Sequence, residues 1–453
     1  MIVIAAVVTV LQNVTIRVAA ICGFSFRPDL VRLVVALVML LGLAGIASAQ
    51  PAKAPSVSSS PVVEIEKALQ SGDGARARHL IIEVLTPRFA DAEPSKAAEL
   101  VYHLTEIAGR DGDWSDVHGV MTPIADVLVR KLDGEALDGF IFNLSVAAGM
   151  VKKFDEQDRW LDRGVDITVN EAGVTSQRSL TMRANAAYSL LSAGRREQAL
   201  ARMLSTLSAM EAYGAAELFF NTAGQAGDAF YRRAAPDAAA TIFERGLESK
   251  LVDTDRGPGK GFFWFNTAVF LRDIGNFDDA IRMHHRAMNY LYGYFGPDSR
   301  EGHSAYEGLA QTLHAAGQLA GAEAAYRYVY QSALKSLGED HPDVWRTANN
   351  LAGVLRSLKL PVEALEFDRF VYHKRYYAYG GGAPETVISA MNMAHDLLEA
   401  GRWQEAKETL AAISSIIAQP GYDPRYRAAV SRWQQYASYR LGEKSLSREE
   451  LET

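Results

Sequence analysis

The sequence is short of cysteine: Cys22 is the only one in 453 residues. One thiol allows no intramolecular disulfide and no multi-thiolate metal centre. A basic surplus is lacking as well. Lys and Arg number 47 against 54 Asp and Glu, a net charge of −7, which argues against a general nucleic-acid binder. No basic run interleaved with aromatics occurs. The apolar run Leu33–Ile46 (LVVALVMLLGLAGI) stops at fourteen residues, against the roughly 20 that a spanning helix needs.

Catalytic and metal signatures fail on their partners. Ser332–Lys335 has the letters of an SxxK nucleophile, but no KTG partner exists. Gly257–Gly261 resembles a phosphate loop, yet Phe262 stands where Ser or Thr is needed. His284 and His285 are adjacent, so they do not share a helix face, and no zincin-type partner sits at i+4. The expectation is a non-catalytic chain with no metal and no cofactor.

What is present is the composition of a folded protein, 48% apolar and 22% charged. The first 49 residues differ from the rest. Arg27 and Arg32 precede the apolar run, and Ala47-Ser48-Ala49 follows it, the small-x-small pattern of a signal-peptidase site. Residues 1–49 therefore read as a leader cleaved after Ala49, and the protein as periplasmic or secreted. The alternative is an uncleaved leader anchoring the chain in the inner membrane. Cleavage removes three Arg, one Asp and Cys22, which leaves 44 basic and 53 acidic residues and a net charge of −9. Residues 50–61 (QPAKAPSVSSSP) read as a flexible linker.

The remainder is repetitive. Asn350 is followed by Ala352, Leu355, Lys359 and Ala364. Forty-two residues on stand Asn392, Ala394, Leu397, Gly401 and Ala406. Forty-two back stand Gly308, Ala310, Leu313, Gly317 and Ala322, and before them Asn266, Ala268, Leu271, Gly275 and Ala280. Asn185, Ala187, Leu190, Gly194 and Ala199 match at every position, and Asn143, Ser145, Ala148, Lys152 and Gln157 match loosely. Weaker copies fall around Gly72, Gly112 and Gly224, about nine in all. The spacing assigns well-formed repeats to 261–420 and degenerate ones to 62–260.

Each copy has a physical reading. Small residues at the second and fourteenth positions after the reference let two helices approach closely. The glycine nine residues on ends the first helix in a left-handed conformation. Such a helical hairpin buries its apolar faces only by stacking on neighbours, which makes the chain an all-α solenoid. Asp423-Pro424 opens a terminal capping helix over 421–442, and 443–453 read as a loose acidic tail.

The pattern resembles the tetratricopeptide repeat. Its forty-two-residue period, with LGEDHPDVWRTANNLAGVL at 337–355, resembles the kinesin-light-chain-type subclass. The resemblance implies a right-handed superhelix whose concave face, lined by the first helix of each hairpin, binds an extended peptide or a protein. It places groove-facing asparagines at Asn143, Asn185, Asn266, Asn350 and Asn392. The same register adds Phe262, Arg272, Glu307, Gln311, His314, Arg346, Asn349, Arg356 and His395. Amide side chains carry both donor and acceptor and pair with peptide backbone without demanding a sequence. The other reading is that these asparagines bond to neighbouring helices and fix repeat register. A full carboxylate clamp is absent, since Gly353 follows Arg346, Asn349 and Asn350.

The expected partner is a protein or peptide, with no nucleic acid, and with a membrane only if the leader is kept. The alternative function is a sensor whose groove holds a small ligand or cell-wall fragment, favoured by a pocket closed by aromatics near Phe262–Phe265 and His314. Tyr372, Tyr376, Tyr377 and Tyr379 are expected to pack in the core against the next repeat.

Overall fold

The computed structural model describes residues 61–254, 256–419, 421–443 and 445. The leader, most of the linker and most of the tail lie outside the described residues. The chain divides into two units, Met1–Asp73 and Gly74–Thr453. In the first, α1 (Pro61–Gln70) ends in a turn at Gly72, where φ is +74°. The second holds α2 (Gly74–Val84), α3 (Pro87–Ala92), and then long helices in pairs. The pairs are α4 (Pro94–Asp111) with α5 (Ser115–Lys131), α6 (Gly134–Met150) with α7 (Phe154–Ala172), and α8 (Gln177–Ser192) with α9 (Arg196–Ala212). They continue with α10 (Ala216–Arg232) and α11 (Pro236–Leu247), α12 (Gly259–Asp273) and α13 (Phe277–Phe295), and α14 (Arg300–Ala315) and α15 (Leu319–Leu337). The last pairs are α16 (Pro342–Ser357) with α17 (Pro361–Tyr379) and α18 (Pro384–Glu399) with α19 (Trp403–Ile417); α20 (Pro424–Arg440) follows them. No strand occurs among the described residues.

Every pair packs as a hairpin and stacks on the next, so the unit is an all-α solenoid. The template residues explain the stacking. Ala268, Ala310, Ala352 and Ala394 are fully buried, as are Ala280, Ala322, Ala364 and Ala406. At each of these positions a larger side chain would force the two helices apart, at about 1–3 kcal/mol.

Two kinds of turn punctuate the stack. Within a hairpin, Gly275, Gly317 and Gly401 adopt φ of +85°, +74° and +76°, and Lys152, Ala234 and Lys359 are held at +63°, +55° and +63° in copies that lack glycine. Between hairpins, Gly296, Gly338 and Gly380 combine φ of +82° to +89° with ψ of 157° to 162°. That region is essentially closed to residues with a Cβ, so the second glycine series is the stricter requirement.

One junction is built differently. The second helix α11 is short, and a 3-10 turn (Lys250–Asp253) leads to α12, which packs directly along α10. Gly224 and Gly227 of α10 and Gly246 of α11 make the room. A Cβ on Gly227 or Gly246 would stand 2.3 Å from the ring of Phe243 or Phe263. The start of α12 is held by Glu217, whose two oxygens accept the Gly259 N–H at 3.0–3.1 Å. Glu211 accepts from Arg245, Ser249 and the Lys250 N–H, and this holds its carboxyl down at about 2.

The tyrosine cluster of α17 departs from expectation. Tyr372 packs against the following helices, but Tyr376, Tyr377 and Tyr379 are exposed, Tyr377 at 84%. They lie in the last turns of α17, beyond the part that the next hairpin covers.

Candidate functional site

The first helix of each hairpin contributes one face to a continuous row, and the predicted groove residues fall on it. Most of them are tied laterally, each to the hairpin 39–43 residues away. Arg272 Nη1 donates to Gln311 Oε1 at 3.1 Å. His314 Nε2 meets Ser357 Oγ at 2.9 Å. Asn350 Nδ2 donates to Glu307 Oε1 at 3.2 Å, Thr347 donates to the same oxygen, and Arg346 donates to Glu307 Oε2. Asn392 Nδ2 donates to Asn349 Oδ1 at 3.1 Å. Arg356 bridges Asp396 at 3.2–3.3 Å and Asp368.

The paired asparagines of 337–355 thus have separate tasks. Asn350 binds the preceding hairpin and Asn349 the following one, so both bond between hairpins at the well-formed end. Asn185 and Asn266 differ: neither side-chain amide has a hydrogen bond to another described residue. Glu307, expected to face the groove, is 2% exposed and lies beneath Arg346 and Asn350. It serves the row as a buried acceptor rather than as a contact for a partner.

Phe262 packs on Phe295, with ring centroids 6.1 Å apart. His395 stands edge-on to Trp433 at 5.5 Å. Its Nδ1 is buried without a hydrogen bond, 3.9 Å from Asp396 Oδ1. Burial and the neighbouring Arg356 lower the His314 imidazole from its ordinary range.

Beneath the row runs a column that the groove register alone does not reveal. The residue eighteen after each reference position is His284, Tyr326, Asp368 or Leu410, and all four are buried. His284 has no hydrogen bond on either ring nitrogen and sits against Phe265. Burial, with Arg272 and His285 nearby, depresses it to about 3, so the ring is neutral. Asp368 and Asp396 are both fully buried and share the one Arg356 guanidinium. One cation cannot balance two carboxylates, and burial with the Asp396 charge pushes the Asp368 carboxyl up to about 8. The signal was available in sequence: the position of Asp396 holds Ala, Ser, Phe, Thr or Val in the other copies, and an acid there stands out.

Among the described residues, the hollows that open along the row include three. One of about 450 Å³ lies between α10 and α12, lined by Phe220, Gly224, Gln225, Phe262, Phe265 and Asn266 among others. A second, of about 330 Å³, is bounded by Gln311, His314, Ala315, Tyr326 and Asn350. The third, of about 260 Å³, is bounded by Arg356, Lys359, Pro361, His395 and Glu399. The pocket looked for near Phe262–Phe265 is therefore present, but His314 lines a different one. Among the described residues no group of three or more His, Cys, Asp and Glu is placed to hold a metal ion. No described helix is long and apolar enough to cross a membrane.

Comparison with curated proteins finds no match. Among solved structures the chain is similar to the kinesin light chain TPR-like repeats of Podosopora anserina, at 20% identity over 44% of this chain and 94% of that one, with a TM-score of 0.39. It is also similar to BtubC from P. vanneervenii, at 16% identity over 58% and 94% of the two chains, TM-score 0.40. A signal transduction ATPase with a tetratricopeptide repeat sensor from Pyrococcus horikoshii matches at 11% identity over 77% and 50%, TM-score 0.46. In sequence, the tetratricopeptide repeat family matches residues 304–343, which take in the α14/α15 hairpin and the turn after it. Those residues carry a tetratricopeptide repeat, and the hairpins around them keep its register.

Proposed function

We propose that the protein is an exported, non-catalytic scaffold that binds an extended segment of a partner protein along the first-helix row. The observation that carries this reading is the placement of the hollows. All three lie where first helices of neighbouring hairpins meet, on the face that also presents Asn266, Gln311, Asn349, Asn392, Arg346 and His395. A partner lying along that face meets a hollow at three separated points, the arrangement that an extended chain with side chains at intervals requires. The lateral hydrogen bonds hold the row rigid in advance, which lowers the ordering cost of binding. Export rests on Leu33–Ile46 and the Ala47-Ser48-Ala49 site; N-terminal sequencing of the mature protein should begin at Gln50.

Site-specific photocrosslinking tests the binding face. Benzoylphenylalanine at Gln311, on the row, is expected to capture a discrete partner from the native envelope fraction, and the same probe at Tyr377 is not. Capture from Tyr377 alone would move the binding surface to the exposed end of α17.

A further inference from the structure

The hollow between α10 and α12 differs from the other two in chemistry. Arg356, Lys359, His395 and Glu399 border one of those, and His314 borders the other. The α10/α12 hollow has no ionisable side chain in its lining, only phenyl rings, amides and glycine. Phe220 and Phe263 are fully buried and form its floor, with their ring centroids 5.5 Å apart. Phe262 and Phe265 are half-buried and form its walls.

Three amides edge it. Asn221 Nδ2 donates to Glu217, whereas Gln225 and Asn266 have no hydrogen bond to another described residue. Gln225 holds the reference position in α10, nine residues before the left-handed Ala234, and the hollow opens beside it at Gly224, where later copies carry Phe265, Glu307 or Asn349. A Cβ there would already stand 3.2 Å from Asn266 Nδ2 and from the Phe263 Cα.

We propose that this hollow is a small-ligand site for an uncharged planar ring whose edge carries neighbouring hydrogen-bond donors and acceptors, the lactam, imide or aminopyrimidine type. Each feature of the lining selects one property. The half-buried rings of Phe262 and Phe265 can stack on any flat ring and are indifferent to its substituents. A primary amide offers a donor and an acceptor side by side, which pairs in the plane of the ring with a matching donor–acceptor edge. A carboxylate would lose hydration with no cation in the lining and with Glu217 behind Asn221 as the adjacent charge, which disfavours anionic ligands. The volume, about 450 Å³, falls within the ~300–1,000 Å³ of small-molecule sites. The site is separate from the scaffold reading, since it would be filled by a diffusible molecule, and either can fail without the other.

Saturation-transfer NMR on the purified full chain tests this with four probes: uracil, orotate, benzene and N-acetyl-phenylalaninamide. Uracil has the ring and the edge, orotate adds a carboxylate, benzene lacks the edge, and the last is an aromatic peptide unit. Uracil is expected to bind, benzene about fivefold more weakly for want of its hydrogen bonds, and orotate not measurably. Asn266→Leu should reduce uracil to the level of benzene. Gln225→Met, at an exposed helix position that tolerates the change, should weaken uracil about threefold and provides the comparison if the first variant does not fold. Orotate binding as well as uracil, or benzene binding as well as uracil, overturns the proposal. Tighter binding of N-acetyl-phenylalaninamide than of uracil overturns it too and makes the hollow part of the peptide-binding row. Photocrosslinking at Gln311 reports on that row independently.

Discussion

The buried carboxylate pair makes a quantitative prediction about Asp368→Asn. Asp368 and Asp396 lie fully buried at the meeting of α16, α17 and α18, with Arg356 as the one cation that hydrogen-bonds to both. Arg375 feels the Asp368 charge but donates to the Glu385 carbonyl and to Ser389. The Asp368 carboxyl titrates near 8 in the folded chain, against an ordinary 3.8. A raised carboxyl pKa means that the folded state holds its proton longer than the unfolded state. Stability is therefore greatest below the unfolded value and is lost as pH rises toward the folded one, by about 1.4 kcal/mol per unit in between.

Other shifted groups lie outside the upper part of this window. His284, depressed to about 3, destabilises only as pH falls below its ordinary range. Glu211, at about 2, acts only below the ordinary carboxyl range. From pH 7 to pH 9, with Asp368 taken at 8, the wild type should lose about 1.4 kcal/mol. Asparagine keeps the shape, accepts from Arg356 and leaves a balanced Arg356–Asp396 pair. The variant should match the wild type near pH 6 to within ~1 kcal/mol and exceed it at pH 9, with a flatter profile. Urea unfolding followed by circular dichroism at half-unit steps measures this, compared by midpoint because long repeat arrays depart from two-state behaviour. A wild-type midpoint that holds constant or rises from pH 7 to pH 9, or a variant that is weaker throughout, refutes the reasoning.

The remaining predictions concern the turns and the row. Gly338→Ala puts a Cβ at φ +82° and ψ 162° and should lower stability by about 1–3 kcal/mol, read as a lower urea midpoint. Lys359→Gly relieves a left-handed lysine at φ +63° and should stabilise by about 0.5–1 kcal/mol; a lower melting temperature would count against that account of the turn. Asn350→Ala removes one of three donors from buried Glu307 and should cost about 1 kcal/mol, with faster amide exchange confined to α14 and α16.

The sequence carried the backbone of this structure clearly because the repeat tests every assignment several times. Gly275, Gly317 and Gly401 stand at the same step, and Lys359 in that column shows that the turn geometry persists where glycine does not. The buried alanines were legible for the same reason, since helix crossing demands a small residue at each. The α10/α12 junction was not, because its determinants are exceptions. Gly224, Gly227 and Gly246 open space for Phe243 and Phe263, and nothing in a single glycine says which ring will enter. The pairing of the asparagines was also hidden. Asn350 and Asn266 share a register position, but only Asn350 has a carboxylate one hairpin away. The residue preceding each reference position decides this: Glu307 serves Asn350 and Asn349 serves Asn392.

That dependence on the neighbouring hairpin gives the row its polarity. From α14 to α18 the amides, Arg346 and Arg356 are spent on each other, and the surface there is preformed and polar. At α10 and α12 the same positions offer an unbonded Gln225 and an unbonded Asn266, with Gly224 where a bonding partner for Asn266 would stand, and the surface is apolar with free amides. The two ends of the row therefore select for different chemistry: charge and hydrogen bonding by the later hairpins, flat uncharged groups by the earlier junction. A variant that exchanges these features should exchange the selectivity. Placing Phe at position 307 removes the acceptor of Asn350 and Arg346, and should lower affinity for charged partners at α14–α16 while leaving uracil binding between α10 and α12 unchanged. Loss of both together would mean that the row responds as one body, and that the hydrogen bonds between hairpins transmit the state of one end to the other.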